Sequence, residues 1–328
     1  MQTAIIDDSS VESVPISEIV SVVEDAFAAY DRGTVQMPAK TYLDLPQYNG
    51  DFRAMPAYLD AGDWDAAAVK WVNVHPDNPS QENLPTVMGI VIYSDPETGA
   101  PLAVIDGTVL TRKRTGAAAA VATEHLAIED ATSLGIVGAG IQSYTQLSAI
   151  ASVRPIDTVV VSDVDEAATQ AFIESFPEFD IRAGSVAEAA KCDVLSTVTP
   201  VTEPIVEAGM PSDHTHINAM GADAAGKQEL ATDILLDSKV VIDDLDQTTH
   251  SGEINVPWEQ GVLDSDDIYG ELGEIVTGRK AGREPRDAVT VFDSTGLAIQ
   301  DVATAHTVYE DVVETDTVHR TSIIGTET

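Results

Sequence analysis

The apolar run Leu134-Gly135-Ile136-Val137 ends in Gly138-Ala139-Gly140-Ile141-Gln142, and Asp163 closes the next apolar run. A buried strand that turns on two glycines into a helix brings bare backbone N–H groups and the positive helix end up to a diphosphate. Asp163 follows Gly140 by 23 positions. A carboxylate there accepts from both adenosine ribose hydroxyls and repels a 2′-phosphate, which predicts NAD rather than NADP. The alternative role is a cap for the helix that follows, and the two are compatible. Ser143 stands where such turns often carry a third glycine. Thr197-Val198-Thr199-Pro200 leaves a later strand, where the nicotinamide half would pass.

Cations form a second set. Lys and Arg total 17 against 55 Asp and Glu, and from Met1 to Gly116 the basic residues are Arg32, Lys40, Arg53, Lys70, Arg112, Lys113 and Arg114. Lys40, Arg53, Lys70 and Arg114 lie on or beside apolar strand and helix patterns. Gathered together they would bind an anion, and a carboxylate suits the paired donors of arginine. Taken singly, each could equally be a surface ion pair with the abundant acids. Arg112, Lys113 and Arg114 open an alanine-rich helical pattern, Thr111 to Ala127, where cations oppose the helix dipole and a bound anion would offset the cost.

Asp223 lies in Gly221-Ala222-Asp223-Ala224-Ala225-Gly226-Lys227, directly after the apolar run Ile217 to Met220. On the carboxyl edge of a parallel sheet it could exchange protons with an amine or with water attacking an imine; the alternative is an ordinary turn aspartate. His214, His216 and His75 have no partners at zinc-ligand spacing, so no catalytic metal is expected. Cys192 reads as a small buried hydrophobe.

The elements that must position these groups fall into two rhythms. Ser17 to Tyr30 has helical spacing behind a serine cap, after which the period changes. Arg53 to Leu59, the alternating sets around Ala67 to Asn73 and Val87 to Tyr93, and Leu102 to Ile105 after a turn at Asp95 to Gly99 read as strands of an antiparallel sheet. From Ser133 the pattern alternates. Strands are expected at Leu134–Val137, Thr158–Ser162, Val194–Thr197, His216–Ala219, Val240–Ile242 and Val289–Phe292, with helices at Gln142–Ser152, Asp165–Ser175 and Ser185–Ala190. That is a doubly wound parallel sheet of Rossmann type, joined to an antiparallel α+β domain. The helical pattern from Ala298 to Val313 is read as crossing back. The expected division is 1–116, completed by about 305–328, and 117–304.

The net charge is −38 and the isoelectric point about 4.1. Such a surface repels nucleic acid and anionic membranes. Hydrophobic residues make up 44% of the chain, which with the periodicity argues against disorder, so a folded protein suited to a salty cytoplasm is expected. No secretory leader or membrane-spanning run is read.

Phe52-Arg53-Ala54-Met55-Pro56, Val69-Lys70-Trp71-Val72-Asn73, Thr86-Val87-Met88, the helix start at Arg112 to Gly116, Gly138-Ala139-Gly140-Ile141-Gln142, Gly221-Ala222-Asp223, Gly226-Lys227 with Glu229-Leu230, and Phe292-Asp293-Ser294-Thr295-Gly296 together resemble the ornithine cyclodeaminase/mu-crystallin family. The resemblance spans nearly the whole chain. It implies a homodimer joined through the antiparallel substrate domains, an inserted NAD(P)-binding domain, and chemistry at a carbon bearing an amino or imino group. Lys70 and Arg114 look like the family's carboxylate ligands and Asp223 like its acid/base aspartate, with Lys70 also polarising the imine or carbonyl. Thr86, Ile141, Gln142, Asp163, Thr197, Lys227 and Ser294 fall where members contact the cofactor. Arg53 with Met37-Pro38-Ala39-Lys40 is similar to the archaeal alanine dehydrogenase branch, whereas an acidic residue at Arg53 would suit the second amine of ornithine. That implies NAD-dependent oxidation of a small amino acid to its 2-oxo acid. Ornithine cyclisation, cyclic ketimine reduction and a non-enzymatic binding role are the alternatives.

Overall fold

The computed structural model describes residues 2–316 and 318–325. It divides into one unit formed by Met1–Arg114 with Leu297–Thr328, and a second formed by Thr115–Gly296. The expected return near residue 305 falls instead at Leu297, because the helix Ala298–Val312 belongs whole to the first unit.

In the first unit, β1 (Thr3–Ile6), β2 (Val35–Gln36), β3 (Thr41–Leu45), β4 (Gly50–Asp60), β5 (Asp65–Val74), β6 (Val87–Ser94) and β7 (Pro101–Asp106) build one sheet with a last strand at His319–Thr321. Hairpin pairing of β4 through β7 is antiparallel, as alternating patterns joined by turns require. β1 pairs parallel with β7, so the sheet is mixed rather than antiparallel throughout. All of the chain between those two strands acts as their crossover, and so long a connection has no local trace in sequence.

Period-two alternation gives this sheet two unlike faces. Met55, Ala57, Leu59, Ala66, Ala68, Val72, Val91, Ala103 and Ile105 are buried on one face, together with Arg53 and Lys70. The helices Ile16–Arg32 and Ala298–Val312 pack on each other, and the second of them also packs across β4 and β5. On the opposite face Trp71, Ile90 and Ile92 are 42%, 45% and 38% exposed. Ser17 does not cap its helix, which starts at Ile16 behind Pro15 and has no side-chain cap.

The second unit is a parallel sheet of β8 (Ser133–Val137), β9 (Thr158–Ser162), β10 (Asp180–Ala183), β11 (Val194–Thr197), β12 (His216–Ala219), β13 (Lys239–Ile242), β14 (Ile268–Glu271) and β15 (Thr290–Asp293). Their order is β10-β9-β8-β11-β12-β15-β13-β14. The chain winds outward from β8 in one direction to β10, then returns to β11 and winds in the other. The turn after β8 therefore lies at the topological switch point, where such sheets bind ligands. β10 and β14, missing from the expected strands, are the two edges. Each is four residues long and incompletely buried, so neither writes a long apolar run.

Candidate active site

In the first unit, Lys70 is 1% exposed and sits on the inner face of β5. Its ammonium donates to Asp301 Oδ1 at 2.7 Å and to Thr111 Oγ1 at 3.3 Å. The same Asp301 oxygen accepts from Arg114 Nε at 3.2 Å, and Arg114 Nη1 donates to Gln300 Oε1 at 3.3 Å. Two buried cations thus share one carboxylate. Burial pulls the Lys70 ammonium down to about 7; Asp301 opposes that fall, while Arg114 and Lys40 deepen it. Lys40, just before β3, is near enough for its charge to be felt.

Arg53 is a diagonal neighbour of Lys70, because Met55, two residues along β4 on the same face, stands opposite Lys70. Its Nε and Nη2 donate to Asp51 at 2.9 and 3.1 Å, and its guanidinium lies 5.4 Å from the centre of the Tyr42 ring. Asp51 therefore offsets part of the positive field of Arg53.

Arg112 and Lys113 lie outside the cluster. Their helix begins at Gly107, not Thr111, with Asp106 Oδ1 accepting from Val109 N–H at 2.7 Å. The three consecutive cations are accordingly past the first turn, where the dipole penalty has faded, and the expected anion at that helix start loses its rationale. Lys113 instead donates to the carbonyls of Val11, Glu12 and Val14, and Arg112 reaches Glu12 at the surface.

Asp301 is the residue that sequence reading missed. Its one trace is a carboxylate set among buried Ile299, Val302 and Ala303 within a helix. Thr86 precedes β6, and its carbonyl accepts from His75 N–H at 2.8 Å.

In the second unit, Gly138 takes φ +100 and donates its N–H to Ser162 O at 2.9 Å, so the chain leaves β8 in a conformation open to glycine. Asp163 Oδ2 accepts from Ala139 N–H at 2.6 Å and Oδ1 from Asp165 N–H at 2.8 Å. The next helix is capped by Asp165, not by Asp163. Each Asp163 oxygen keeps a second lone pair, so the carboxylate is held in place without being used up.

Gly140 is the N-cap of the helix Ile141–Val153 and supplies no side-chain cap; a Cβ built on it meets nothing within 4 Å. Ser143 is buried and folds its hydroxyl onto Gly140 O at 2.6 Å. Gln142 Oε1 is buried without a hydrogen-bond partner, and Ile141 and Val164 are exposed beside the turn. An open glycine cradle, uncapped helix N–H groups, a pre-aimed carboxylate and exposed apolar side chains fit a dinucleotide.

Farther along the carboxyl edge, Glu229 ties three segments together. It accepts from Thr197 Oγ1 at 2.7 Å, from Thr199 N and Oγ1 at 2.7 Å each, and from Gly221 N–H at 2.9 Å. A Cβ on Gly221 would lie 2.3 Å from Thr199 O, so the two loops meet only because that residue is glycine. Glu253 accepts from the N–H groups of Glu229 and Leu230, and Asp293 from those of Glu253 and Ile254. Burial raises the pKa values of Glu229, Glu253 and Asp293; the Glu229 charge adds to the rise at Glu253, and the Asp243 and Glu229 charges to that at Asp293.

These contacts engage several expected cofactor residues. The Thr197 hydroxyl is committed to Glu229, and that of Ser294 to Asp243 at 3.1 Å. Lys227 Nζ lies 2.5 Å from Asp223 Oδ1, a half-buried ion pair in the loop after β12. Among the described residues, no group of His, Cys, Asp and Glu is arranged to hold a metal ion.

Known proteins are similar to this chain along nearly its whole length. The alanine dehydrogenase of Archaeoglobus fulgidus is 46% identical over 316 residues, covering 95% of this chain and 96% of that one. A solved archaeal alanine dehydrogenase dimer with bound NAD superposes with a TM-score of 0.94 at 44% identity, covering 99% of this chain and 100% of that one. The Thermococcus litoralis Δ1-pyrroline-2-carboxylate reductase, solved with NADH and L-proline, gives 0.91 at 37% identity over 95% of this chain and 98% of that one. The family of ornithine cyclodeaminase and mu-crystallin matches residues 2–316, and the chain belongs to it.

Proposed function

We propose that this protein is an NAD-dependent alanine dehydrogenase, interconverting L-alanine, NAD⁺ and water with pyruvate, ammonium, NADH and a proton. The observation that carries the reading is the buried Lys70 and Arg114 pair, with Arg53 a diagonal neighbour on the same sheet face. The likeness to archaeal alanine dehydrogenase adds to it.

Lys70 and Arg114 bind the substrate carboxylate, and a two-point charged clamp fixes the orientation of the adjoining α-carbon. NAD, when bound, supplies the hydride acceptor. Gly138, Gly140, Ile141 and Gln142 would hold its diphosphate and Asp163 its adenosine ribose, with Thr86, Thr197, Lys227 and Ser294 as further contacts, the last three kept in place by Glu229, Asp223 and Asp243. Asp223 moves protons at the amine nitrogen and at the water that hydrolyses the imine, with Lys227 holding its carboxylate in place. Lys40 and Arg53 disfavour a second substrate amine, although the pairing of Arg53 with Asp51 weakens that discrimination.

The exposed apolar face around Trp71, Ile90 and Ile92 is the surface through which we expect two copies to join. No helix among the described residues is long and apolar enough to cross a membrane. Incubation with NAD and L-alanine, L-ornithine or L-proline tests the reading: alanine-dependent formation of NADH and pyruvate supports it. Conversion of ornithine to proline without net NADH would replace it with cyclodeamination.

A further inference from the structure

We propose that Asp301 is the positioning residue of the carboxylate site: one of its oxygens holds the Lys70 ammonium and the Arg114 guanidinium together. The inference rests on the carboxylate-binding role given above to Lys70 and Arg114.

The geometry is specific. Lys70, Arg114 and Asp301 are 1%, 8% and 1% exposed, and both cations meet Oδ1, at 2.7 and 3.2 Å. An ammonium at this depth has lost its hydration, and the other charges that bear on it, Arg114 and Lys40, repel a proton. Thr111, its remaining partner, is neutral and already donates its hydroxyl to Gly107 O at 2.6 Å. Among the described residues, Asp301 is thus the charge whose attraction opposes burial and the two like charges.

Gln300 and Asp301 also grip Arg114 from consecutive helix positions, through Nη1 and Nε. That fixes the plane of the guanidinium. Asp301 Oδ2 is buried and has no hydrogen-bond partner. A buried carboxylate oxygen left so is costly, and its retention beside two cations is what an electrostatic rather than a packing role requires.

The test is pyruvate binding as a function of pH, measured by calorimetry on the protein with NAD present. Pyruvate stays anionic across the range, so its affinity is high while Lys70 is charged and falls as pH rises through about 7. In Asp301→Asn, a near-isosteric change, the inflection moves down by about one pH unit or more, as loss of an opposite charge at this distance predicts. Asp301→Glu restores it toward the wild-type position. Should the asparagine variant not fold, Asp301→Ser replaces it, with the same downward shift expected.

An unchanged inflection in folded Asp301→Asn or Asp301→Ser overturns the proposal, as does an equal shift in Asp301→Glu. Failure of the wild-type protein to bind pyruvate at any pH overturns it as well. If pyruvate binds with the shift described but alanine gives no NADH, the substrate reading fails while the role of Asp301 stands.

Discussion

At the scale of single residues, the proposed reaction divides labour between Lys70 and Arg114 as carboxylate ligands and Asp223 as the proton carrier. Asp223→Asn should lower kcat by about 10²- to 10⁴-fold, the range for a lost acid/base group, while NAD binding measured by fluorescence is retained. Retention of most turnover would remove Asp223 from the mechanism. If Asp163 sets cofactor choice as proposed, Asp163→Ser should weaken NAD and narrow its advantage over NADP, read as the ratio of kcat/KM for the two. Loss of the Ala139 brace predicts that both cofactors suffer somewhat. Lys70, Arg114 and Asp223 stood out in sequence because cations are scarce and because a loop follows β12. Asp301 did not, since its partner Lys70 is 231 residues away and no local period links them.

At the scale of elements, strands β8, β9, β11 and β12 could be read almost to the residue, because short segments with apolar residues alternate there with stretches of helical spacing. Edge strands β10 and β14 and the parallel pairing of β1 with β7 could not, since they depend on neighbours distant in the chain. The start of the helix at Gly107 was displaced in the reading for a related reason: Asp106 provides the cap, yet it also ends a strand. The turn after β8 makes a direct prediction. Gly138→Ala must bear φ +100 and bring a Cβ to 3.0 Å from Val198 O, so it should lose about 1–2 kcal/mol of stability, measured by denaturant unfolding, and bind NAD more weakly.

At the scale of the whole molecule, two properties follow from surface composition. If the exposed apolar face around Trp71, Ile90 and Ile92 joins two copies as proposed, Trp71→Glu should shift the dimer to monomer in sedimentation, with the second unit still binding NAD. A net charge of −38 repels itself in dilute buffer. At molar salt the screening length is about 3 Å, so the melting temperature should rise with salt; equal melting with and without it would remove the proposed adaptation to a salty cytoplasm. Both bear on how the central assay is run. With L-alanine and NAD in high salt, the account predicts NADH and pyruvate in equal amounts, lost in Lys70→Ala and Arg114→Ala; absence of alanine-dependent NADH, with proline and ammonia formed from ornithine instead, would contradict it.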